Sequence, residues 1–103
     1  MNNDRISQLE QFIKDDPLDP FPLYALALEW FKSDLLRSES LFDQLLSQHP
    51  DYVPAYYHAG VVKIKRGQPA LAHKLLEQGK RKAMETGDQK TAAEIQSLLD
   101  ELE

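Results

Sequence analysis

The chain contains no cysteine, so disulfide frameworks, zinc ribbons, iron–sulfur clusters and thiol nucleophiles are excluded. Long hydrophobic runs are missing too. The longest, Leu23 to Leu28, has six residues, against about 20 needed to span a bilayer. The start Met1-Asn2-Asn3-Asp4-Arg5 lacks the basic and apolar regions of a signal peptide; together these features predict a cytoplasmic protein with no membrane partner. Glycine is scarce, with four residues, and there is no glycine-rich phosphate loop, no Gly-x-Ser-x-Gly elbow and no His-Glu-x-x-His. The histidines His49, His58 and His73 are not at metal-ligand spacings from one another. Adjacent carboxylates such as Asp15-Asp16 read as helix stops, not as an acid–base pair. No catalytic residue, metal or cofactor is therefore expected, and the chain does not read as an enzyme.

Basic charge is also in short supply, with 12 Lys and Arg against 17 Asp and Glu. An acidic total argues against nucleic acid as a partner, because a basic footprint on phosphate supplies most of that affinity. The charge is patterned. Residues 1–60 are acidic, residues 61–90 basic and residues 91–103 acidic again. The basic block is read as Lys63, Lys65 and Arg66 closing one helix and Lys80, Arg81 and Lys82 closing another, where cations suit the helix dipole. A hydrophobic share of 42% and a charged share of 28% over 103 residues fit a single globular domain.

Apolar residues recur at three- and four-residue intervals, without the sustained alternation of a half-buried strand, so the fold class is all-α with about six helices. Ile6, Leu9, Phe12 and Ile13 make one face of a first helix, ended by Asp15-Asp16-Pro17. Asp19-Pro20 opens a second helix running to about Lys32. Ser33-Asp34 caps a third, which stops before Pro50, and Asp51 is expected to cap a fourth. Gly67-Gln68-Pro69 and Thr86-Gly87-Asp88 introduce a fifth and a sixth. Connections of a few residues make these helices antiparallel hairpins stacked in order.

The hairpins repeat. Ser38, Leu41 and Phe42 fall on Ala72, Leu75 and Leu76 at an offset of 34. Phe21, Tyr24 and Ala25 are paired with Tyr56, Ala59 and Gly60 at 35, with the one-residue difference placed in the turn where Gly67 has no counterpart beside Ser33-Asp34. A 34-residue helix-turn-helix unit with these aromatic, small and bulky positions resembles the tetratricopeptide repeat. Pro50 fits the pattern, whereas Lys63 stands where it has tyrosine, Gly79 where it has alanine and Met84 where it has proline. The run Asp19-Pro20-Phe21 with Tyr24-Ala25-Leu26-Ala27-Leu28-Glu29 is similar to small bacterial tetratricopeptide proteins.

The resemblance implies a short right-handed superhelix in one domain: a capping helix at 1–16, repeat one at 19–50, repeat two at 51–85 and a capping helix at 88–103. The repeat-packing residues would be Phe21, Tyr24, Ala25, Ser38, Phe42, Tyr56, Gly60, Ala72 and Leu76, with the helix backbones closest at Ala25 or Gly60 and at Ser38 or Ala72. It also implies that the first helix of each repeat lines a concave groove. Helix two would offer Pro22, Leu26, Glu29 and Trp30, the last off the core stripe, and helix four Tyr57, Val61, Ile64 and Lys65. Chaperone-binding members use Lys, Asn and Arg there to clamp a terminal carboxylate; Tyr57 and Val61 occupy two of those places and Lys65 alone keeps a charge. The expected function is binding of a peptide or helix of another protein in an apolar groove, with homodimerisation through the same face as the alternative.

Overall fold

In the computed structural model, which describes residues 3–102, the ordered elements are α1 (Asn3–Asp15), α2 (Pro20–Phe31), α3 (Leu35–Gln48), α4 (Pro54–Lys65), α5 (Pro69–Glu85) and α6 (Gln89–Glu101). Among the described residues there is no strand. Three helices begin on an aspartate whose carboxylate accepts a backbone N–H left without a partner by the helix geometry. Asp19 accepts from Phe21 at 3.0 Å, Asp34 from Arg37 at 3.1 Å and Asp88 from Thr91 at 3.1 Å. Asp51 departs from the expectation, because the residue before α4 is Val53, which offers no side-chain cap. Pro54 at the start of α4 supplies a preset φ and has no N–H to satisfy, and Asp51 instead accepts from Lys82 Nζ on α5 at 2.9 Å.

The helix ends differ from one another in a way that sets the repeat register. After α4, Gly67 has φ +74°, and the next amide, of Gln68, donates back to the Lys63 carbonyl at 2.8 Å. Gly87 ends α5 likewise, with φ +76° and the Asp88 amide on the Ala83 carbonyl. Only glycine adopts that left-handed step without cost. α2 has no such residue; Ser33 and Asp34 both donate to the Trp30 carbonyl, and the chain enters α3 one residue sooner.

The chain groups into two compact units, one through Pro50 and one from Asp51. In the first, α1 packs on α2 and α2 on α3. Ile6 and Leu9 meet Ala25 and Leu26 in a buried cluster, with Ile13, Trp30 and Leu41 packed against it. Where α2 and α3 approach, the buried Ser38 hydroxyl donates to the Ala27 carbonyl at 2.8 Å, and the Tyr24 ring lies edge-on to buried Phe42 with centroids 6.3 Å apart. In the second unit, α5 packs on both α4 and α6. A Cβ on Gly60 would lie 2.5 Å from Leu76 Cδ2, and one on Gly79 would strike the Tyr56 Cβ while sitting 3.2 Å from Ile95 Cδ1. Ala72 and Leu76 are fully buried.

Burial along the two first helices corrects the offset of 35. Pro22, Leu23, Leu26, Ala27 and Glu29 are buried where Ala55, Tyr56, Ala59, Gly60 and Val62 are, and Tyr24, Leu28, Trp30 and Phe31 are half-buried where Tyr57, Val61, Lys63 and Ile64 are. That match is at 33 residues. The close-approach residue of repeat one is therefore Ala27, the counterpart of Gly60, while Ala25 faces the α1 cluster. Phe21, paired by sequence with Tyr56, instead corresponds to exposed Pro54 and is itself 57% exposed.

Candidate functional site

Pro22, Leu26, Glu29 and Trp30 lie on one stripe of α2, spaced so that a helix places them one above the other. That stripe is the one α1 needs. Leu26 is 5% exposed beside Ile6 and Leu9. Glu29 is also buried; it accepts a hydrogen bond from Lys32 Nζ at 3.3 Å and forms an ion pair with Arg5 Nε at 3.8 Å, so its charge is paired on leaving water. Trp30 packs against the same cluster, and the Arg37 guanidinium covers its ring at 4.5 Å from the centroid, a cation–π arrangement. Pro22 is buried. These four side chains are thus held by contacts within the first unit, in place of an open concave wall.

The α4 residues fare differently. Tyr57, Val61 and Ile64 are half-buried and Lys65 is exposed, in the last turn where a cation also suits the helix dipole. The Tyr57 ring stands edge-on to the neighbouring His58 at 5.3 Å. Burial pushes the His58 pKa below its ordinary value, opposed by the Pro54 carbonyl and by Glu94 on α6. Carried to α2 at the corrected 33-residue offset, the same stripe is Tyr24, Leu28, Phe31 and Lys32, half-buried at the first three and exposed at the lysine. Both first helices therefore present tyrosine, an aliphatic residue, an apolar residue and lysine in the same order. The sequence contains this signal as Tyr-x-x-x-Leu-x-x-Phe-Lys and Tyr-x-x-x-Val-x-x-Ile-Lys. Pairing Phe21 with Tyr56 as aromatics hid it.

Among the described residues no group of three or more histidines and carboxylates could hold a metal ion. No helix among them is long and apolar enough to cross a membrane.

No protein-family model matches the chain, and no curated protein does. Solved structures do. The solution NMR structure of a tetratricopeptide repeat domain protein from Salinibacter ruber is 39% identical over 85% of this chain and 90% of its own, with a TM-score of 0.79. A crystal structure of a tetratricopeptide repeat domain protein from the same organism is 36% identical over 82% of this chain and 96% of its own, with a TM-score of 0.78. Identity at that level over most of both chains accompanies the two helical hairpins and the small residues at their close approaches, and the chain belongs to the tetratricopeptide repeat family.

Proposed function

We propose that the protein is a non-enzymatic binding module in which each first repeat helix offers a stripe to an apolar segment of a partner protein, α2 through Tyr24, Leu28, Phe31 and Lys32 and α4 through Tyr57, Val61, Ile64 and Lys65. The observation that carries this reading is the recurrence of one chemistry, in one order, at positions of equal exposure on α2 and α4. Packing alone does not ask for it. At the buried positions the two helices differ, with Leu23 against Tyr56 and Ala27 against Gly60, and the half-buried pair Trp30 and Lys63 differs as well, yet along this one stripe the order is kept. Tyrosine gives a large contact area with few rotatable bonds, the apolar residues after it supply burial, and Lys65 selects an acidic group beside the apolar run, Lys32 being paired with Glu29.

Retention of partner proteins by the immobilised chain tests the proposal, with Tyr57→Ser and Ile64→Gln beside Leu36→Ser, an exposed apolar position off the stripe. Partners lost by the stripe variants and kept by the control, at unchanged helicity, support the reading. Equal retention by all three variants contradicts it. Concentration-dependent dimerisation abolished by the same two substitutions would assign the stripe to a second copy of the chain instead.

A further inference from the structure

Where α1 gives way to α2, the surface is more apolar than the fold requires. Phe12 is 54% exposed, Phe21 57% and Leu18 83%. None of the three is needed by the core of the first unit, since α1 buries Ile6 and Leu9 and α2 meets them with Ala25 and Leu26. Single exposed hydrophobic residues are ordinary; several at one corner are not. Phe12 and Phe21 also share a depression of about 340 Å³ with Leu9 and Pro22, within the range of about 300–1,000 Å³ typical of ligand clefts.

Around this apolar cup stand Asp15, Asp16 and Asp19. Asp16 accepts from the Leu18 amide at 3.3 Å, Asp19 from the Phe21 amide at 3.0 Å and Asp15 from the Gln11 side chain at 2.9 Å. Those bonds fix the carboxylates before any partner arrives, and each carboxylate has further acceptor sites for a cation. Arg5 also borders the depression and pairs with Glu29. The rim is thus predominantly negative around an apolar centre.

We propose that this corner is a second docking surface, separate from the repeat stripes, and that its occupant is a partner segment with a large apolar residue flanked by lysine or arginine. The apolar anchor enters between Phe12 and Phe21, and its basic neighbours face the aspartates. Charge complementarity sets which segments are accepted, and the buried anchor supplies most of the affinity.

The test uses an end-capped hexapeptide, Lys-Lys-Phe-Leu-Lys-Lys, and its counterpart with glutamate at every lysine, titrated into the full chain by fluorescence anisotropy. The lysine peptide is expected to bind at least about tenfold more tightly than the glutamate peptide. Phe12→Ser with Phe21→Ser should weaken it by at least about tenfold although every aspartate remains, and Asp15→Lys should weaken it while both phenylalanines remain. Because both phenylalanines are exposed, unchanged circular dichroism is expected; should the double variant misfold, Asp15→Lys alone decides. Equal binding of the two peptides overturns the proposal, as does undiminished binding by the folded phenylalanine variant or by Asp15→Lys. Self-association of the chain that the phenylalanine substitutions abolish would overturn it in favour of a second copy as occupant.

Discussion

Where α2 meets α3, Ser38 donates a buried hydrogen bond to the Ala27 carbonyl; where α4 meets α5, Gly60 lies against Leu76 with no room for a methyl group. The first unit reaches its close approach with a small polar residue satisfied across the helix pair, the second with bare backbone against a branched side chain. The second unit uses the device twice, since Gly79 makes way for Tyr56 and Ile95. The turns differ as well, with Gly67 in the left-handed region after α4 and no such residue after α2. What the two units share is therefore spacing and volume, not residue type. A repeat can lose a residue in its turn and still place the same positions inward, because the helices shift register together with their burial.

The comparison breaks most readily at its bulky positions. Phe42→Ala and Leu76→Ala remove equivalent, fully buried side chains and should cost about 3–5 and about 2–5 kcal/mol of stability, respectively, in denaturant titrations. A loss below about 1 kcal/mol in either unit would show that the positions are not equivalent. Next comes Gly79→Ala, which would be mildly favourable on helix propensity alone but places a methyl group against Tyr56. It should destabilise by about 1–3 kcal/mol, and a rise in Tm would mean that α4 and α5 are not in close approach there. Ser38→Ala is a smaller change, expected to cost about 1 kcal/mol for the lost hydrogen bond. Neutral behaviour would bring the first unit closer to the apolar contact of the second.

The smallest effect is electrostatic. His58 has its pKa lowered by burial, so the unfolded chain binds a proton more readily than the folded one. Its contribution to stability is present above the ordinary histidine pKa of about 6.5 and is lost as pH falls from there through the lowered pKa of the folded state. Tm should drop as pH falls below about 6.5, and His58→Phe should flatten the drop there. Asp88, whose pKa is lowered by its hydrogen bonds to Thr91, loses its contribution only in the more acidic carboxylate range, which separates the two. An unaltered slope in His58→Phe would remove His58 as the cause.

The helices were legible because their signals are local. Asp19-Pro20, Asp34, Gly67, Pro69 and Gly87-Asp88 mark ends through caps and turn geometry that need no distant partner. Asp51 misled because a good capping residue lies three positions ahead of Pro54 and its carboxylate finds Lys82, a contact only the tertiary fold supplies. The register of repeat one misled for a different reason. Matching aromatic to aromatic paired Phe21 with Tyr56, yet burial pairs Leu23 with Tyr56, because packing selects volume and direction more than chemical class. That pairing puts Trp30 on an open wall, whereas it rests on the Ile6 and Leu9 cluster under Arg37.

The absence of cysteine permits a direct measurement of that register, since any thiol introduced is the only one. Maleimide labelling of folded Leu26→Cys, Glu29→Cys, Leu28→Cys and Phe31→Cys reports which stripe of α2 solvent reaches, with Val61→Cys and Ile64→Cys as the α4 reference. The 33-residue correspondence requires positions 28 and 31 to label at rates close to those of 61 and 64, and positions 26 and 29 to label far more slowly. Fast labelling at 26 and 29 with protection at 28 and 31 would contradict it and return the binding face of α2 to Pro22, Leu26, Glu29 and Trp30.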